Sequence, residues 1–170
     1  MVLYLWNMQI RLATERDLPS INKIYNQAVK QKFCTAHLHT VDMEYRRQWF
    51  SHHTPDRYPV YITCENSNVS GWVSLGPYRQ GRQALAHVAE VSYYVDRAYR
   101  GQGVGSQLLG YAIGIAPRFG LSILVAILLD KNPASIGLLK KFGFSEWGAL
   151  PDIARIGRET ADHLYYGLKL

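Results

Sequence analysis

The sequence predicts a mixed α/β domain built on a central, mostly antiparallel sheet with helices on both faces. Segments with apolar residues at helical spacing interleave with strand-like runs in the order β-α-α-β-β-β-α-β-α-β-β. One strand–helix–strand unit sits among otherwise hairpin-like connections, so one parallel pair is expected within an antiparallel sheet. At 170 residues, 48% hydrophobic and 19% charged, the chain suits a single folded domain with a real core.

Residues 9–13 alternate and read as the first strand. Thr14 or Asp17 then caps a helix carrying Pro19 in its first turn, where the missing N–H costs nothing. Ile21, Ile24, Tyr25, Ala28 and Val29 form its apolar stripe. Residues 30–41 are polar and irregular. A second helix opens at Asp42, carries Tyr45, Trp49 and Phe50, and is closed off by Pro55 and Pro59. Residues 60–65 and 71–75 form a hairpin around the turn-rich stretch 66–70. A basic connection, 76–83, bears Arg79 and Arg82.

Residues 86–95 make a long strand that a glycine-rich loop delivers into a helix ending near Phe119 and Gly120. The apolar run 123–129 has the length of a buried strand. Asn132 starts a last helix that stops at Gly143, and strands over 145–150 and 161–170 close the chain. The whole chain reads as one domain, with residues 1–7 a peripheral extension. That short apolar start lacks a basic segment and a cleavage site, so it makes a poor signal peptide. No stretch approaches the ~20 apolar residues of a membrane span.

Nineteen Lys and Arg against 13 Asp and Glu give a formal charge of +6, which favours anionic ligands. The basic residues are scattered, as in Arg46-Arg47 and Lys140-Lys141, and form no polybasic run. Nucleic-acid or membrane binding therefore rests on net charge alone. Cys34 and Cys64 are too few and too unpatterned for a disulfide framework or a zinc site, and point to a reducing compartment with no metal.

The loop Arg100-Gly-Gln-Gly-Val-Gly105, followed by Ser106, presents backbone N–H groups at a helix N-terminus, a ready anion site. A P-loop would end in Gly-Lys-Ser/Thr, and no lysine is present. A dinucleotide fingerprint would place glycine at 106, and it normally opens the first unit of a repeated βαβ fold. Asp130 at the next strand's tip could still mimic its ribose-binding acid.

The loop resembles the Arg/Gln-x-x-Gly-x-Gly/Ala motif of the GCN5-related N-acetyltransferases, and the strand before it, the helix after it and the segment from Asn132 to Gly143-Phe144 keep that family's order. Tyr25-Asn-Gln-Ala-Val29, Gly71-Trp-Val-Ser-Leu-Gly76, Glu90-Val-Ser-Tyr-Tyr-Val95 and the ending near Asp162 look more narrowly like its phosphinothricin and methionine sulfone/sulfoximine acetyltransferase branch.

The resemblance implies an acyl-CoA N-acyltransferase fold and a cytoplasmic, commonly dimeric enzyme. It would move acetyl from acetyl-CoA to the amine of a small amino acid or analogue in a ternary complex. Carried over by position, Tyr93, Tyr94 and Val95 would pair with pantetheine amides. Arg100, Gly101, Gln102, Gly103, Val104, Gly105 and Ser106 would hold the pyrophosphate, and Asn132 and Ser135 the cofactor arm. Glu90 would be the general base, with Arg79, Arg82, Ser92 and Asp162 at the acceptor. Structural alternatives stand beside these roles: Glu90 paired with Arg79 or Arg82, Arg100 in a surface ion pair, and Asn132 as a helix cap. His87 and His163 are further candidate proton carriers that match no family position, with a plain surface or core role as the alternative for each.

Two departures bear on the chemistry. Leu139 stands where many relatives place a Tyr or His acid for the leaving thiolate, and Thr160 where phosphinothricin-type relatives place a tryptophan. Acetylation of a protein N-terminus or lysine, and acyl-CoA binding without turnover, are the competing functions.

Overall fold

The computed structural model describes residues 9–65 and 68–170, so the N-terminal extension and the first two residues of the 66–70 turn lie outside the described residues. Seven strands form one sheet: β1 (Gln9–Leu12), β2 (Val60–Glu65), β3 (Asn68–Pro77), β4 (Val88–Val95), β5 (Ile123–Leu129), β6 (Ser145–Ile156) and β7 (Glu159–Lys169). Their order is β1-β2-β3-β4-β5-β7-β6, and every neighbouring pair is antiparallel except β4–β5. Four helices, α1 (Leu18–Gln31), α2 (Met43–Ser51), α3 (Val104–Ile115) and α4 (Pro133–Lys141), cover the sheet.

Strand alternation sorts the core into two layers. Val60, Ile62 and Trp72 turn toward α1 and α2, where they bury Leu18, Ile21, Ile24 and Val29. Tyr61, Val73, Leu75 and Val91 turn the other way, onto Val104, Leu108, Leu109 and Ala112 of α3. The expected helices on both faces are thus present.

At the start of α1, the Thr14 backbone N–H and hydroxyl both donate to Asp17 Oδ2, at 2.8 and 3.0 Å. Arg11 makes a bidentate pair with the same carboxylate, 2.8 Å on each arm. The two residues suggested as caps thus lock the 3-10 turn Glu15–Asp17 that leads into α1, whose own N-cap, Asp17, makes no side-chain cap bond. The Arg11 guanidinium holds the Asp17 carboxyl below its usual range.

Two strands run furthest past their expected bounds. β3 starts at Asn68, not Gly71, because Asn68 and Val69 still pair with Glu65 and Cys64 of β2, with Ser70 the extra residue at a register shift opposite Thr63/Cys64. β6 runs through Pro151 to Ile156, where a stop at Leu150 was expected. A bulge between Leu150 and Ala154 absorbs the proline, with Asp152 in the left-handed region at φ 54°. Asp162 on β7 pins that bulge by accepting the Asp152 N–H at 2.8 Å.

Candidate active site

β4 and β5 share only three register pairs, the last being Glu90↔Val125. Beyond it β4 stays paired with β3 as far as Val95, and β5 with β7 as far as Leu129. The strands part there, leaving backbone N–H and C=O groups on their inner edges without a ladder partner. A cleft of about 570 Å³ opens at the split, between β4, β5, the glycine loop and α4.

The loop is shaped by glycines at two positions. Gly101 and Gly103 adopt φ of 74° and 85°, the left-handed region that L side chains disfavour, and an added Cβ at either would project into open space. Gly103 is also the N-cap of α3 and has no side chain to cap it, so the first-turn N–H groups face whatever fills the cleft. Gly105 serves packing instead, since a Cβ there would meet Leu138 Cδ2 at 3.1 Å.

Of the twelve residues expected to hold the cofactor, eleven line this cleft: Tyr93, Tyr94, Val95, Arg100, Gly101, residues 103–106, Asn132 and Ser135. Gln102 does not, because its side-chain amide turns back to donate to the Ala98 carbonyl at 3.0 Å. Arg100 stands exposed at the lip, donating to the side chain of Gln31 and to the Val95 carbonyl. Asn132 caps α4 by accepting the Ser135 N–H at 3.3 Å, and the cap leaves it on the wall of the cleft. The Tyr93 hydroxyl sits 2.6 Å from Ser135 Oγ, and burial pushes its pKa up to about 12, keeping it protonated. Leu139 is fully buried beneath them.

Glu90, Ser92 and Tyr94 point to the opposite side of β4, toward α1 and α2. They line a second cavity of about 470 Å³. The two cavities meet along a common wall of Cys34, Ser92, Tyr94, Ile127 and Leu128. Glu90 is half-buried, and burial raises its pKa above the ordinary 4.5, opposed only by a long 3.4 Å hydrogen bond from Ser92. Neither Arg79 nor Arg82 forms an ion pair with it. Both are exposed on the β3–β4 connection and line neither cavity.

Asp162 also lies off both walls. Its N–H donates to Asp130 Oδ1 at 3.0 Å and its carboxylate holds Asp152, so the three aspartates tie the ends of β5, β7 and β6 together. His163, its neighbour, does face the second cavity, and burial lowers its pKa. His87 lines neither cavity.

The rest of the second cavity comes from residues that sequence reasoning passed over. Asn22 and Asn26 of α1 fasten the irregular 33–41 stretch by its Val41 backbone, with bonds of 2.9–3.0 Å. That brings Cys34, Thr35 and His37 over the opening. The Tyr25 hydroxyl bridges Thr35 Oγ1, at 2.8 Å, and His37 Nδ1. Arg46 of α2 reaches inward under the rings of Tyr25 and Trp49, 4.6 and 4.7 Å from their centroids. A basic residue three positions before Trp49, on the inward face of an amphipathic helix, was the available signal.

The split parallel pair, the glycine loop at the split and the carboxylate-bearing cavity across the common wall are the arrangement that the resemblance to acyl-CoA N-acyltransferases implied. The model of the acetyltransferase (GNAT) family matches residues 21–144, and the chain belongs to that family. It is 42% identical to YwnH of Bacillus subtilis, named after phosphinothricin acetylation, over 96% of this chain and 99% of that one. It is 34% identical to the L-methionine sulfoximine/L-methionine sulfone acetyltransferase of Salmonella typhimurium, covering 89% and 88% of the two chains. The structure of yncA from Salmonella typhimurium with its cofactor acetyl-CoA matches with a TM-score of 0.89 at 32% identity, over 96% of this chain and 94% of that one. The protein is an acetyl-CoA-dependent N-acetyltransferase, and the cleft's glycine cradle and unpaired strand edges suit that cofactor.

Proposed function

We propose that the acceptor is a small α-amino acid or oxidised analogue, of the phosphinothricin or methionine sulfone type, and that Glu90 is the base that deprotonates its amine. One observation carries the reading: Glu90 stands where the β4–β5 ladder ends, in a cavity sharing a wall with the cofactor cleft. The names of the relatives support the acceptor class.

When bound, acetyl-CoA supplies an activated thioester. The chain's residues do the rest. The 101–106 loop anchors the phosphates through backbone N–H groups and the α3 N-terminus. The free edge of β4 aligns the pantetheine arm toward the common wall. An α-ammonium of pKa about 8 or above must lose a proton before its nitrogen can attack. Burial raises the pKa of Glu90, which narrows the gap to that ammonium. The N–C bond forms as the C–S bond breaks, directly in the ternary complex. The sulfur takes up a proton from solvent or from a cleft hydroxyl, since Leu139 has none to give.

We further read the protein as a cytoplasmic homodimer. Trp147, Leu150 and Ile153 are exposed on β6, an edge strand whose apolar side suits a second copy, and both cysteines are free. No helix among the described residues is long and apolar enough to cross a membrane.

The test is thiol release from acetyl-CoA with L-methionine sulfone, L-methionine sulfoximine and phosphinothricin, beside peptides with a free N-terminal alanine or an internal lysine. Turnover confined to the amino acids supports the proposal. Turnover confined to peptides, or cofactor binding without turnover on any amine, overturns it.

A further inference from the structure

The acceptor cavity holds two charged side chains, Glu90 and Arg46, and they form no ion pair with each other. Arg46 is only 1% exposed, yet no carboxylate among the described residues lies within ion-pair distance of it. Its Nε donates to Asn22 Oδ1 at 3.2 Å, while Nη2 is buried with no acceptor at all. A guanidinium so placed remains charged, and an unpaired buried charge is unfavourable. The faces of Tyr25, Trp49 and Trp72 offset part of that cost through cation–π attraction. They satisfy its faces and leave Nη2 without an acceptor. Tyr94 lines the same cavity, its ring 5.0 Å from that of Tyr25, on which Arg46 stacks.

We infer that Arg46 is the anion anchor of the acceptor site, drawing an oxygen-bearing anionic or strongly dipolar group of the substrate toward one end of the cavity while Glu90 receives the amine at the other. The cavity is then dipolar by construction, and an amino acid with its separated charges is the complementary ligand. This rests on the acceptor class proposed above and assigns the role earlier expected of Arg79 and Arg82 to a residue on a different element. A purely structural clamp is the rival. It would use the ring contacts and the Asn22 bond, but it gives no reason for a cation with an unpartnered N–H.

The experiment compares wild type, Arg46→Met and Arg46→Lys on three acceptors: L-methionine sulfone, its α-carboxamide, and L-methionine, which lacks the sulfone oxygens. The wild type is expected to favour the sulfone over at least one of the other two by ~10-fold or more in kcat/KM, the scale of a charge-assisted hydrogen bond. In Arg46→Met that preference collapses through KM, with KM for acetyl-CoA unchanged. Collapse of the acid-over-carboxamide ratio assigns the α-carboxylate to Arg46, and collapse of the sulfone-over-thioether ratio assigns the side-chain oxygens. Arg46→Lys keeps the charge and retains most of the preference.

Equal losses on all three acceptors, accompanied by a lower Tm, would make Arg46 a clamp and overturn the inference. If Arg46→Met does not fold, a wild type that treats all three acceptors alike, or an Arg46→Lys that loses the preference outright, overturns it equally. A wild type that acetylates none of the three contradicts the acceptor class itself, a separate failure.

Discussion

Glu90→Gln is the most informative single change, because the structure separates its catalytic effect from its structural one. The glutamate makes one long hydrogen bond, 3.4 Å from Ser92, and no ion pair, and the amide that replaces it has the same shape. Little folding energy is lost, so the effect falls on proton transfer. A positioned base contributes about 10²–10⁴-fold. His163 faces the same cavity and burial keeps it neutral, so a water-relayed route survives and the loss belongs in the lower half of that range. A fall in kcat of ~10²–10³-fold corresponds to about 2.7–4.1 kcal/mol of barrier.

The pH profile gives the sharper signature. Burial raises the Glu90 pKa, so the acid limb of wild-type kcat/KM inflects above 4.5, and the glutamine variant loses that limb. Stability moves the other way. Between the unfolded value and the raised native value, the native state binds more protons than the unfolded chain, so stability declines as pH climbs through that window. Glu90→Gln removes the penalty and melts no lower than wild type at pH 7 to 8. Thiol release monitored from pH 5 to 9, with thermal melts on the same samples, tests both. Full kcat across that range in the variant would refute the assignment of Glu90 as base.

Three further outcomes follow from the geometry. Gly103→Ala puts a methyl where phosphate must approach, at φ 85°, so KM for acetyl-CoA rises about 10-fold or more while acceptor KM holds, in steady-state kinetics with each substrate varied. Gly71→Ala places a Cβ 2.9 Å from the Tyr94 carbonyl oxygen and 2.9 Å from Leu108 Cδ1; since the backbone oxygen cannot yield, we expect about 1–3 kcal/mol of destabilisation and a Tm lower by ~2–10 °C in calorimetry. Asp162→Ala frees the β6 bulge and lowers Tm while leaving acceptor KM within ~2-fold, because loss of one hydrogen-bonding carboxylate is a local ~1–3 kcal/mol effect away from both cavities.

Much of the cofactor half was legible in the chain. A glycine loop between a strand and a helix is a contiguous signal, and its function resides largely in backbone N–H groups, which depend on local conformation. That Glu90 shares a face with Ser92 and Tyr94 was legible for a related reason: strand alternation fixes which β4 side chains point the same way. The acceptor half was not. Arg79 and Arg82 were singled out by charge and nearness in sequence to Glu90, but an exposed connection carries them away from the cavity. Arg46 lies 44 positions from Glu90 and looked like half of a scattered basic pair. Asp162 and Asp130, each suggestive of a ligand, turned out to hydrogen-bond across strand ends, an arrangement that depends on which strands become neighbours.

The sequence alone determined the element order, the family resemblance and the phosphate-suited loop, because these depend on residues close along the chain. Only the tertiary structure decided where β4 and β5 part, which places the cofactor cleft against the acceptor cavity. It also decided that an arginine from α2 and a glutamate from β4 would face the same space. Packing of α2 and the 33–41 stretch against the sheet makes that meeting, and packing over such separations is set by the whole core, not by any local pattern.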